Sequence, residues 1–152
     1  MMRKLLYALG ALVIGIQFIR PTANQNPEVA ATDITQVYTV PAEVKGILVQ
    51  SCYDCHSNNT RYPWYAHIQP VGWWLSSHIE DGKKHLNFSE FGTYAAKKAN
   101  HKLEEVEEAV TDGWMPLDSY LWVHHEARLT PEQARAVATW ARQLRAGEPI
   151  SE

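Results

Sequence analysis

Two cysteines three residues apart, with a histidine directly after the second, constrain this chain more than any other feature: Cys52-Tyr53-Asp54-Cys55-His56. They are the only cysteines in 152 residues, which excludes a disulfide-stapled miniprotein and a four-cysteine zinc site. On one side of a helical turn, two thiols at this spacing can each add to a vinyl group of haem and form thioethers. The two vinyls lie on neighbouring pyrrole rings, so the sulfurs must stand a fixed distance apart. The adjacent imidazole is then held beneath the ring with a nitrogen aimed at iron. Three other chemistries compete. A redox dithiol usually heads a βαβ unit, and no run here reads as a strand pair. Zinc would need a fourth ligand, and its structural sites usually draw on more than two cysteines. A disulfide across so short a loop is strained and gains little. The pentad favours one covalently bound haem c, with Cys52 and Cys55 as attachment sites and His56 as proximal ligand.

A group that size needs a domain to wrap it. The length is about one domain's worth, and 45% hydrophobic with 11% aromatic residues suffices for a core. The net charge of -3 argues against a general nucleic-acid binder. Charge is unevenly placed: residues 1–20 hold Arg3, Lys4 and Arg20 and no acid, leaving 11 basic and 17 acidic groups on the remainder.

The basic start is followed by Leu5 to Ile19, fifteen residues of which only Gln17 is strongly polar. This pattern reads as an export signal or membrane anchor over residues 1–20. As a helix the apolar run reaches roughly 22 Å, short of the roughly 30 Å hydrocarbon core. No clear Ala-x-Ala cleavage site follows, which favours a retained anchor. With Arg3 and Lys4 on the cytoplasmic side, the rest faces the periplasm, either anchored to the inner membrane or exported. Residues 21–40, broken by Pro21, Asn24, Asn26, Pro27 and Asp33, read as a linker. Fully extended it would reach at most roughly 70 Å. The folded domain is expected over 41–150.

Within it the periodicity predicts an all-α, cytochrome c-like fold with long loops. A first helix runs from Pro41 into Cys52, with Val44, Ile47, Leu48 and Ser51 on one face. A second spans roughly Pro70 to Lys84. A third, roughly Asn100 to Asp112, turns Leu103, Val106 and Val110 inward and ends at Gly113. The last has Thr130 as N-cap, Pro131 in the first turn and Gln133 completing a capping box, with Gly147 as the stop. Residues 57–66, 87–92 and 114–119 read as loops. Irregular stretches of this length in so small a domain leave it short of core, a deficit that a large apolar cofactor would fill. Trp140 is expected to pack the last helix on the first, with Gly46 permitting close approach.

The second axial position has several candidates. Met115 is the only methionine outside the start region, and it lies in a loop before Pro116. A thioether there can be aimed without disturbing a helix, and it favours ferrous iron. His78 and His124 are reserve distal ligands, either of which would lower the potential. Arg61 and Trp73 are weaker candidates as partners of the haem propionates.

Cys52-Tyr53-Asp54-Cys55-His56-Ser57-Asn58, Arg61-Tyr62-Pro63-Trp64-Tyr65, Leu86-Asn87-Phe88-Ser89, Trp114-Met115-Pro116 and Leu129-Thr130-Pro131-Glu132 with Trp140 together resemble the bacterial haem-binding domain family. Its members are small monohaem c-type cytochrome-like domains behind an N-terminal signal or anchor. The resemblance covers roughly Pro41 to Gly147. It implies thioethers at Cys52 and Cys55, a proximal His56 and a distal Met115. The expected function is single-electron transfer with an unidentified, membrane-associated redox protein, and no enzymatic turnover. Two other functions compete with it: a haem-based gas or redox sensor, and a peroxidase-like module using His78 or His124. One departure from a mobile carrier stands out. Lys83, Lys84, Lys97, Lys98 and Lys102 could form a basic docking face, but the glutamates of the third helix oppose them.

Overall fold

A computed structural model describes residues 1–150. Among these, eight α-helices and three short 3-10 segments form an all-α fold, and the one bridge between extended residues pairs Gln25 with Asn59. The helices are α1 (Met2–Ile16), α2 (Ile34–Val37), α3 (Ala42–Ser51), α4 (Tyr53–His56), α5 (Val71–His85), α6 (Ala96–Thr111), α7 (Asp118–Leu121) and α8 (Pro131–Ala146). All four expected domain helices are present. Only the third differs much, since α6 begins at Ala96 rather than near Asn100.

Helices α6, α8 and α3 make the core. Leu103, Val106 and Val110 of α6 meet Val137, Ala138 and Ala141 of α8, and Val44, Ile47 and Leu48 of α3 close the cluster. The ends of α8 follow from local chemistry. The Thr130 hydroxyl accepts from the Gln133 amide at 3.2 Å, while the Gln133 side chain accepts from the Thr130 amide at 2.9 Å. These contacts satisfy two amides that the helix itself leaves open. At the other end Gly147 takes a left-handed φ of 67°, which a residue with a Cβ would resist. On the rim of the α6–α8 seam, Arg142 pairs with Glu107, and Arg145 reaches both Glu104 and Glu107. The contacts are partly exposed, so they set register more than stability.

Trp140 is 1% exposed at the centre of the core, and its indole N–H donates to the Thr39 carbonyl at 3.2 Å. The expected role of Gly46 fails, because nothing lies within 4 Å of where its Cβ would be. Trp140 does sit in the cluster that joins α8 to α3, and it also ties α8 to the chain just before α3.

That chain is where the expected linker differs most from the structure. Residues 24–40 are strapped onto the domain. Ile34 is fully buried in the core cluster. Asp33 caps α2 by accepting from the Thr35 amide at 2.9 Å. The Thr32 carbonyl accepts from the Gly92 amide at 2.8 Å, and a Cβ on Gly92 would lie 2.9 Å from Val37. Further upstream, Asn24 donates to the Ser57 carbonyl at 2.8 Å and to the Thr60 hydroxyl at 2.9 Å. Its own side-chain oxygen accepts from Lys83 at 2.6 Å. Asn24, one of the residues that suggest a free linker, is a group that fastens it. The folded unit therefore starts well before Pro41.

Helix α1 buries no residue, and its Leu5, Leu6, Leu9, Leu12, Val13 and Ile14 are each at least half exposed. No helix among the described residues is long and apolar enough to cross a membrane.

Candidate functional site

The pentad begins where α3 stops. Cys52 breaks the helix with φ -125° and ψ -40°, and its carbonyl then accepts from both the Cys55 and His56 amides, at 3.2 and 3.0 Å. The result is a single tight turn, α4, set at an angle to α3. Hydroxyls satisfy the carbonyls at its end: Ser57 donates to Tyr53 at 2.7 Å and Thr60 to Asp54 at 2.6 Å.

Asp54, between the two cysteines, fixes the turn to the rest of the domain. Its carboxylate is 7% exposed as a residue. One oxygen accepts from the Arg61 amide and Nε, both at 3.1 Å. The other accepts from Arg61 Nη2 at 3.2 Å and the Tyr120 hydroxyl at 2.8 Å. A buried carboxylate is tolerable only when paired and hydrogen-bonded, and this one is both.

His56 is similarly fixed. Its Nδ1 lies 3.0 Å from the Leu86 carbonyl, and Phe88 meets the ring near edge-on, at 70° and 6.4 Å. Donation from Nδ1–H to that carbonyl leaves Nε2 unprotonated, the tautomer that a metal ligand requires. Burial lowers the pKa of the ring below the usual histidine range, against the opposing pull of the backbone bonds, which also favours the neutral form.

Cys52 and Cys55 are free and half-buried. Burial, with a smaller contribution from Cys55, pushes Cys52 up to about 12. Burial followed by the Asp54 charge pushes Cys55 up to about 11. Reactive redox cysteines are shifted downward instead, so the pair does not fit a dithiol oxidoreductase. Nor do the described residues include any cluster of three or more His, Cys, Asp or Glu able to hold a metal ion by themselves. The zinc reading lacks its ligands.

What these groups face is a largely apolar cavity of about 520 Å³. That volume is within the roughly 300–1,000 Å³ of sites for small organic ligands and cofactors. Cys52, Cys55 and His56 line it from α3 and α4, His78 and Gly82 from α5, Val106 and Val110 from α6, and Met115 and Tyr120 from the segment beyond. Two neutral thiols, an unprotonated imidazole nitrogen and a thioether on one apolar chamber are a donor set that suits haem iron and the vinyl edge of its ring.

The structure thus brings together Cys52, Cys55, His56, Met115 and the reserve ligand His78. The other three candidates lie elsewhere. Arg61 is engaged by Asp54 and by the Val49 and Gln50 carbonyls, away from the chamber. The Trp73 indole donates to the Ile19 carbonyl at 2.7 Å. His124 lies between Tyr65, whose hydroxyl is 2.8 Å from Nε2, and Glu126, 3.3 Å from Nδ1, with its ring stacked on Tyr120. Arg61, Trp73 and His124 are not among the residues that line the chamber.

Three functional positions were not evident from sequence: Asp54, Tyr120 and Gly82. The first sits inside the pentad, and that is its only signal. Gly82 matters through close approach. A Cβ there would stand 2.7 Å from the Cys55 carbonyl oxygen and 3.2 Å from the Cys55 Cβ. Neither neighbour is a flexible side-chain end, so Gly82→Ala is expected to push α5 off the attachment turn. The cost should be about 1–3 kcal/mol, read by urea unfolding, together with a lower yield of haem-loaded protein.

Comparison with known proteins accords with this geometry. No curated protein and no solved structure matches the chain. A family model described as a haem-binding domain matches residues 11–143, spanning the strap, the pentad, the chamber and nearly all of α8, and the chain accordingly belongs to the haem-binding domain family.

Proposed function

We propose that this haem-binding domain is a monohaem c-type cytochrome that passes single electrons at a bacterial membrane. The observation that carries the reading is the convergence of Cys52, Cys55, His56 and Met115 on one apolar chamber. When bound, haem c supplies a one-electron couple. The chain's own residues set its surroundings. Cys52 and Cys55 would hold the ring by thioethers, while the Leu86 carbonyl engages His56 Nδ1 and leaves Nε2 as the nitrogen that would bind iron. Met115 reaches the chamber from the loop after α6, where its amide bonds the Ala109 carbonyl at 3.4 Å. Were His56 and Met115 both to bind the iron, no position would be left for oxygen or peroxide, and electron transfer would require little rearrangement. Apolar walls exclude water and, with a thioether ligand, favour the ferrous state.

The surface fits a fixed carrier better than a mobile one. Lys83 bonds Asn24, Lys84 pairs with Asp81, Lys98 lies over the Tyr94 ring and Lys102 pairs with Glu105. These lysines do not form an uncommitted basic docking face. Exposed, apolar α1 serves in this reading as the membrane anchor, holding the domain at high effective concentration near membrane partners on the periplasmic side.

A gas-sensing reading draws on one observation, that His78 lines the same chamber as Met115. Substitution separates the two. In the ferrous Met115→Ala protein, carbon monoxide is expected to bind readily and the potential to fall. The parent and a His78→Ala variant should resist carbon monoxide at neutral pH. Ready binding by the parent would favour the sensor, and a change confined to His78→Ala would make that histidine the distal ligand.

A further inference from the structure

Helix α1 does not dangle from the domain. At its end the Gln17 side chain acts as a peptide mimic: Nε2 donates to the Gln69 carbonyl at 3.1 Å while Oε1 accepts from the Gln69 amide at 2.9 Å. Gln69 is itself 4% exposed, and its side chain accepts from the Trp73 amide at the start of α5, at 3.0 Å. Two residues beyond Gln17, the Ile19 carbonyl accepts from the Trp73 indole. The junction is polar and hydrogen-bonded on both sides, so α1 leaves the domain in a set direction.

Around this junction the surface is apolar without any covering element. Phe18 and Ile19 are 83% and 63% exposed, and Ile68 and Val71, flanking Gln69-Pro70, are 45% and 38% exposed. Trp74, one turn further along α5, is 48% exposed. Solvent-facing apolar groups beside a helix that is apolar on every side need an apolar medium. Cations frame the arrangement: Arg3 and Lys4 at the far end of α1, and Arg20 just past the near end, where its Nε donates to the Gln17 carbonyl. Exposed aromatic and aliphatic residues flanked by basic ones match a bilayer surface with anionic headgroups.

We propose that the Gln17–Gln69 clamp seats the haem domain directly on the bilayer, with Ile68, Val71 and Trp74 in the interfacial layer, instead of leaving it to swing on a tether. The proposal rests on the reading of α1 as a membrane anchor. It also locates the redox site. His78, seven residues beyond Val71 on α5 and tilted at 49° against Trp74 with centroids 4.3 Å apart, lines the haem chamber. His78 is thus roughly 10 Å along the helix from Val71 and roughly 6 Å from Trp74, which puts the chamber within reach of partners embedded in the same membrane.

Maleimide labelling of the full-length, haem-loaded protein in phosphatidylethanolamine–phosphatidylglycerol vesicles tests this. A cysteine is introduced by Ile68→Cys or, as a solvent-facing control on α8, by Thr139→Cys. A membrane-impermeant maleimide is expected to react severalfold more slowly at position 68 than at position 139. Adding Gln17→Ala should remove most of that difference while the protein still floats with the vesicles. Equal rates at the two positions in the protein with an intact clamp, with flotation retained, would overturn the seat and leave the anchor standing. Protection at position 68 that persists with Gln17→Ala would overturn the clamp. Loss of flotation in the parent would overturn the anchor reading and the seat with it.

Discussion

Replacing both Cys52 and Cys55 with alanine is expected to convert a protein whose haem survives acid-acetone extraction into one that releases all of it. The chamber offers a non-covalent haem little beyond apolar contact and the axial bonds that His56 and Met115 would make, because Arg61 is engaged by Asp54 and is not part of the lining. Acid protonates the imidazole, and the ring then leaves. The single variants should behave differently. Each keeps one thioether, so the haem stays attached, with the absorption band of its pyridine complex shifted toward that of a ring bearing one free vinyl. Asp54 sharpens the expectation, because it holds the α4 turn from Arg61 and Tyr120 whether or not the thiols are present. A double variant that keeps the helical signal but releases its pigment would place the defect in attachment. A double variant with extraction-resistant haem would remove the thiols from the site.

The largest loss of stability is expected from Trp140→Ala. This side chain is 1% exposed, sits in the cluster that joins α3, α6 and α8, and gives its indole proton to the Thr39 carbonyl. Truncation removes an aromatic volume that a close-packed core cannot collapse to fill, at a cost of about 3–5 kcal/mol. Domains of this size hold about 5–15 kcal/mol in total, so much of the margin would go. Trp140→Phe keeps most of the ring but leaves the Thr39 carbonyl without its donor, and should cost about 1–3 kcal/mol. Urea titration followed by helical circular dichroism gives both values. A Trp140→Ala protein as stable as the parent would mean that the strap and the terminal helix do not depend on each other.

Sequence periodicity and punctuation revealed the frame of this domain but not its wrapping. Thr130, Gln133 and Gly147 marked α8 because caps act locally, through bonds between neighbours that sequence order alone brings together. Val44, Ile47 and Leu48 marked α3 for the same reason. The strap was illegible because it works through long-range contacts. Ile34 is one apolar residue in a polar stretch, and Asn24 bonds Ser57 and Thr60, more than thirty residues away. In the site, the pentad announced its thiols and imidazole by spacing, and Met115 by its loop. Arg61 and Trp73 stand off the chamber lining, since a cation or an indole N–H near the motif can pair with protein as readily as with a cofactor. Here Asp54 and the Ile19 carbonyl take them. No local pattern marks Gly82, whose importance comes from the carbonyl of Cys55 passing 2.7 Å from its missing Cβ.

The central claim, that two thioethers and His56 hold one haem permanently in this chamber, is tested most directly by a pyridine haemochrome spectrum of the denatured protein. The protein is made in cells able to mature c-type cytochromes and extracted with acid acetone beforehand. The account predicts the spectrum of haem c at one equivalent per chain, retained by the protein after extraction. A colourless extracted protein with its two thiols free, or joined to each other, would contradict it.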